Sequence, residues 1–160
     1  MRIDFMAAIR RTVVPDGPAL EGKGRLTGTW RVISVNTEFQ LSGQREPAFG
    51  PEPSGFFVFT AEDRAIALIT AKERQPGNSL EHLAALCRSM MAYSGPFRVE
   101  GDKLIIDVDI SSNQAWTGGA QQRFIKIAGD TMEMVTPWMP SPFHADRQVV
   151  RGVLNLERAK

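Results

Sequence analysis

Few of the 160 residues carry side chains that could do chemistry, and Arg123 is set apart from the other basic residues by its neighbours. It lies in the run 121–127, where Ile125 and Ile127 share its period-two face, so a strand here turns a guanidinium toward the apolar side. In a low-dielectric interior a fixed positive charge would bind a carboxylate, or stabilise a developing enolate, more strongly than in water. Glu38 or Tyr93 could then move a proton, since general acid–base catalysis needs a titratable group within hydrogen-bond reach of the substrate. Arg123, Glu38 and Tyr93 are thus the candidate catalytic residues of an isomerase or cyclase acting on a carbonyl-bearing apolar substrate. The plainer alternative is structural: a buried Arg123–Glu38 pair, or a guanidinium bonded to carbonyls.

Other constellations offer less. His82 and His144 lie far apart with no third ligand near either, so no metal site is expected. The single Cys87 excludes an intramolecular disulfide and sits on the apolar side of a helical pattern, where core packing is its simplest role. Asp107 and Asp109, two apart on a strand, project side by side toward solvent rather than across a cleft as a glycosidase pair does. Gly118-Gly119 lacks the spacing and following helix of a phosphate cradle, and no Ser-His-Asp order or nucleophile elbow is present. No cofactor is expected.

Nineteen basic against eighteen acidic residues leave a net charge of +1, too small a field to steer the chain onto nucleic acid or an anionic membrane. No apolar run reaches the length of a membrane span, and MRIDFMAAIRR has no uninterrupted apolar core of signal-peptide length. A cytoplasmic protein is the expectation. Its partner would be a small apolar ligand or substrate, with neither nucleic acid nor membrane, and a homodimer is left open.

The elements that must position Arg123 are short and β-rich. Residues 1–25 mix Pro, Gly and scattered charge without an apolar period and read as an N-terminal arm, leaving 26–160 as one domain. Strands are predicted over 29–38, 56–60, 65–70, 96–100, 103–111, 121–127, 131–136 and 148–158. One helix is predicted over 79–91, where Leu80, Leu83, Ala84, Cys87, Met90 and Met91 fall at three-and-four spacing after Asn78 or Ser79 as cap. Gly101-Asp102 and Ala128-Gly129-Asp130 are turn sequences that bring neighbouring strands antiparallel. Eight strands without an alternating helix rhythm exclude a parallel α/β fold. An all-β, eight-stranded up-and-down antiparallel barrel follows, with the helix capping its mouth and an interior wide enough for packed side chains or one small ligand.

Leu26-Thr27-Gly28-Thr29-Trp30-Arg31-Val32 is similar to the Gly-x-Trp opening strand of lipocalins, and Leu156-Glu157-Arg158 to their closing strand, whose Arg covers that Trp. More closely, the chain resembles the lipocalin-like domain family of intracellular bacterial and fungal proteins over about residues 26–158. The stretches that carry the resemblance are GPEPSGFFVFT from Gly50, Tyr93-Ser94-Gly95 with Val99-Glu100-Gly101, Trp116-Thr117-Gly118, Gln122-Arg123-Phe124 and Glu157-Arg158. The family often places one or two His in the strand before the conserved Trp, where this chain has Ile106 and Asp107, so imidazole chemistry is not expected there. The resemblance implies a lipocalin-like barrel with Trp30 inside.

Strand one is ambiguous, because both its faces carry two apolar residues; turning Trp30 inward takes Val32, Ser34, Asn36 and Glu38 with it. The other inward sets are Leu104, Ile106, Val108 and Ile110; then Met132, Met134 and Thr136; then Val150, Gly152, Leu154, Leu156 and Arg158. A bound molecule would meet Arg123, Tyr93, Met90, Met91, Met134, Trp116, Trp138 and Asn36, with the helix and the loop 137–146 as its lid. Met suits an adaptable lining, although the same residues serve equally as a filled core. Trp138 and Phe143 as an exposed patch for a protein partner form a third reading.

Overall fold

In the computed structural model the described residues are 23–141 and 148–160. A four-residue helical turn, α1 (Lys23–Leu26), precedes β1 (Gly28–Phe39), β2 (Arg45–Pro47), β3 (Ser54–Phe59) and β4 (Arg64–Thr70). The helix α2 (Leu80–Arg88) leads into β5 (Met90–Glu100), β6 (Lys103–Asp107), β7 (Ile110–Ser111), a 3-10 turn (Gln114–Trp116), β8 (Ala120–Ala128), β9 (Thr131–Val135), β10 (Met139–Pro140) and β11 (Val149–Arg158). Eight of these strands close a ring in the order β1, β3, β4, β5, β6, β8, β9, β11, each antiparallel to the next, and β11 pairs back onto β1. Closure leaves no unpaired edge along the wall. The short β2, β7 and β10 extend the ring at its rims.

Apolar residues two apart on each strand fill the interior: Phe57 and Phe59, Ala65, Ala67 and Ile69, Leu104 and Ile106, Met132 and Met134, Leu154 and Leu156 are all buried. Each large side chain among them contributes about 1.5–3 kcal/mol relative to exposure. Trp30 closes one end. Its indole Nε1 donates to the Leu26 carbonyl at 2.8 Å, and the Arg158 guanidinium lies 4.3 Å above its ring, as the sequence leads one to expect. Arg158 is itself held by the Thr27 carbonyl at 3.0 Å. Gly101 and Gly129 turn the chain with positive φ in the two predicted tight turns. Gly95 has a different reason: a Cβ there would lie 1.9 Å from the Asp107 carbonyl oxygen, where β6 ends and the chain passes over β5.

Three sequence expectations fail, each for an identifiable reason. In β1, Val32 pairs with Leu156 and Ser34 with Asn155, so Ile33 is an extra residue, a β-bulge. The alternation shifts there. Val35, opposite Leu154, is inside, while Ser34, Asn36 and Glu38 lie on the outer wall with Asn155, Val153 and Arg151. The run 103–111 breaks into β6 and β7 at residues 108–109; Val108 is buried, but Ile110 is 65% exposed on the outer wall, paired with Ser94. The helix is shorter than predicted, because Met90 and Met91 pair with Thr70 and Ile69 and begin β5 instead. None of its residues is buried; Leu80 and Leu83 are open to solvent, and Cys87 is exposed rather than core. Its C-terminal end is tied by polar bonds to the connection that follows β4, where Arg74 donates to the Leu86 carbonyl at 2.9 Å and to Ser89 Oγ at 3.1 Å.

Candidate ligand site in the barrel interior

The interior changes character between its two ends. From the Trp30 end, rings run upward in contact: Phe97 edge-on to Phe59 at 5.3 Å, Phe59 beside Phe57 at 6.2 Å, Phe57 edge-on to Tyr93 at 6.3 Å, and Tyr93 edge-on to Trp116 at 6.1 Å. Edge-to-face contacts of this kind suit the ring quadrupoles and fix the tilt of each ring. At Tyr93 the apolar column meets a polar group. The Arg123 guanidinium, 6% exposed, donates from Nη2 to the Tyr93 hydroxyl at 3.3 Å and to Gln121 Oε1 at 3.2 Å, and from Nη1 to the Gln122 carbonyl at 2.7 Å. Its Nε is buried and has no hydrogen-bond partner.

The parity of β8 produces this cluster. Gln121, Arg123, Ile125 and Ile127 alternate inward, with Gln121 opposite the buried Ile106 and Arg123 opposite the buried Leu104. Gln121 was not singled out in the sequence, although its position two residues before Arg123 carries the same signal. Among the described residues no carboxylate pairs with Arg123, so this is a buried cation whose positive charge meets only neutral acceptors. Leaving a charge so placed costs free energy, and an oxyanion presented to Nε would recover it.

The other expected site residues divide. Tyr93 and Met134 are buried inside, and Met91 and the half-buried Trp116 pack against the interior cluster. Trp116 rides on the 3-10 turn, which Asn113 caps by accepting from the Ala115 amide. Met90 is half-buried at the start of β5. Asn36 and Glu38 do not reach Arg123, because the Ile33 bulge turns them out. Glu38 is instead buried against the wall between two guanidinia, accepting from Arg45 Nε and from Arg151 Nη2, each at 2.8 Å. Burial alone would push its carboxyl up; the hydrogen bonds and charges of Arg45 and Arg151 outweigh that and hold it below the ordinary carboxylate range. Trp138 does not face the interior either, since the Arg151 guanidinium stacks on its ring at 4.4 Å, outside. Phe143 and His144, and with them half of the expected lid loop, lie outside the described residues. Asp107 and Asp109 face solvent as expected, paired with Arg98 and Arg64. No group of three or more metal-ligating side chains occurs among the described residues, and no helix among them is long and apolar enough to cross a membrane.

Two surface depressions lie away from this cluster. One of about 320 Å³ is bounded by Arg31, Ile33, Glu52 and Lys72, and one of about 530 Å³ by Phe56, Asp130, Glu157 and Lys160. Neither includes Arg123 or Tyr93.

A family model described as a lipocalin-like domain matches residues 27–159. No curated protein matches the chain. Among solved structures, an uncharacterized protein from Bacteroides eggerthii is similar over 82% of this chain and 98% of its own, at 10% identity and a TM-score of 0.39.

Proposed function

The chain belongs to the lipocalin-like domain family, and from that premise we propose that it binds one small, mainly apolar organic molecule inside the barrel, held by an oxyanion or carbonyl group against Arg123. A barrel of this family points to ligand binding in general. One observation carries the finer reading: a guanidinium buried among apolar strands, with no carboxylate partner among the described residues and an unsatisfied Nε. Tyr93 and Gln121 hold its other side and fix the direction in which Nε points. The half-buried Trp116 and the unbranched Met91 and Met134 are the side chains that would yield to admit a ligand.

The experiment compares a flat apolar carboxylate, 2-naphthoate, with neutral 2-naphthylmethanol by calorimetric titration. The expected result is a preference for the anion that Arg123→Met abolishes, a loss of about 1.5–3 kcal/mol for a charged hydrogen bond. Equal affinities of the two probes for the native protein overturn the proposal. Native mass spectrometry of protein purified from its own source would then identify the retained molecule.

The second reading, an isomerase or cyclase acting on a carbonyl-bearing substrate, is favoured by the contact between Arg123 and the Tyr93 hydroxyl. In it Arg123 stabilises the developing oxyanion and Tyr93 moves the proton. Glu38, on the outer wall, has no part in it. Tyr93→Phe would then lower turnover by about 10²–10⁴-fold while leaving binding nearly intact.

A further inference from the structure

The hydrogen-bonding groups left without a partner around Arg123 are donors. One is the buried Nε. Another is the Tyr93 hydroxyl proton: its oxygen accepts from Nη2, and no acceptor among the described residues takes the proton in turn. The oxygens of the cluster, Gln121 Oε1 and the Gln122 carbonyl, already accept from the guanidinium. A ligand N–H or O–H brought to either of them would meet the positive charge behind it. The head group that fits is therefore an acceptor without a donor of its own.

The way Arg123 is tied limits which acceptor that is. A guanidinium ordinarily takes a carboxylate two-pronged, by parallel N–H bonds to its two oxygens. Nη2 carries two hydrogens and already serves two acceptors, Tyr93 Oη at 3.3 Å and Gln121 Oε1 at 3.2 Å. Nη1 is turned back to the Gln122 carbonyl at 2.7 Å. Nε is thus a single prong without a free neighbour on the Nη2 edge. A carboxylate would seat one oxygen there and carry the remainder of its charge into an apolar enclosure. A phenolate or enolate holds its charge largely on one oxygen, and Tyr93, bonded to the adjacent Nη2, is the neighbouring donor. The rings of Phe57, Tyr93 and Trp116, in edge-on contact, suit a flat conjugated body behind that oxygen.

Resting on the ligand reading above, we propose that the head group is a phenolic or enolic hydroxyl that binds as its anion, releasing its proton to solvent on entry. Burial alone would make such a hydroxyl harder to ionise. A guanidinium in contact makes it easier, by about one to three pH units for an opposite charge at this range, and Arg123 shares its charge with no carboxylate among the described residues.

2-Naphthol tests this, because its neutral and ionised forms absorb differently and a free phenolic hydroxyl loses its proton only near pH ~10. Absorption titration of 2-naphthol bound to the full chain should show ionisation about one to three pH units below that of the free compound. Arg123→Met should return it to the free value or above, and Arg123→Lys should keep part of the shift. Gln121→Leu, which frees an N–H of Nη2 to complete a fork, should raise affinity for 2-naphthoate relative to 2-naphthol at least about tenfold. Bound 2-naphthol that ionises no earlier than the free compound overturns the proposal, as does its failure to bind where 2-naphthoate does, or an unchanged ratio in Gln121→Leu. If 2-naphthoate binds no better than 2-naphthylmethanol, the ligand reading itself fails and this inference falls with it.

Discussion

Glu38 and Arg151 face each other across the seam where β11 closes onto β1, Oε1 to Nη2 at 2.8 Å, on the outside of the barrel. With Arg45 on the other carboxylate oxygen and Trp138 on the far face of Arg151, they make a clamp over the last strand pairing to close the ring.

That clamp gives stability a dependence on pH. Glu38 titrates below the ordinary carboxylate range in the folded chain, so its contribution is present above that range and is lost as the pH falls through the folded value. Glu38→Gln should cost about 1 kcal/mol at neutral pH, a modest figure because Arg45 is half-exposed and solvent screens the pair. Urea unfolding as a function of pH should show native and variant proteins converging in acid.

At the other end, Trp30→Ala should destabilise by about 3–5 kcal/mol through the void it leaves. Arg158→Met, which keeps the packing and removes the charge over the indole, should lose about 0.5–2 kcal/mol. Equilibrium denaturation measures both.

Gly95→Ala tests the crossing of the chain over β5. The added methyl would meet the Asp107 carbonyl, so the strand or its neighbour must shift, at a cost of about 1–3 kcal/mol or more. A fall in thermal midpoint reads it out.

Leu83→Lys and Leu80→Lys should change stability by less than about 0.5 kcal/mol, because both side chains are already in water. A helix docked by its apolar stripe would lose several times that.

Arg123→Met should leave the folded state as stable as before, or more stable by up to about 2 kcal/mol, since it removes a buried charge that has no counter-ion among the described residues. A residue kept for folding would show the reverse. Denaturation curves of the variant, measured beside its affinity for 2-naphthoate, separate the two roles.

Much of this arrangement is legible in the sequence. Period-two alternation places Arg123, Ile125 and Ile127 on one face without reference to anything distant, and the Trp30–Arg158 contact is what the resemblance of the first and last strands to those of lipocalins implies. Glu38 is misplaced because an extra residue in an antiparallel pair leaves no mark where both faces of the strand carry apolar side chains, as in Val32, Ile33 and Val35. The helix misleads for the opposite reason. Its three-and-four spacing is genuine, but a pattern states which side could be buried and not whether any neighbour covers it. The fate of Ile110 depends on a break in hydrogen bonding after Asp107 that alternation alone does not register.

The bulge at Ile33 also decides which charges share the enclosed space. Paired without it, the same sequence in strict alternation would carry Ser34, Asn36 and Glu38 to the inside and Val35, Thr37 and Phe39 to the wall. An acid would then stand in the interior with Arg123. Deleting Ile33 itself would keep the present faces, because Ser34 would follow the inward Val32 and point outward as it does now. Ile33 is thus a spacer whose presence matters to the count of residues and not to the faces, and an ungapped alignment with a strand that lacks it would exchange wall and interior from Ser34 onward.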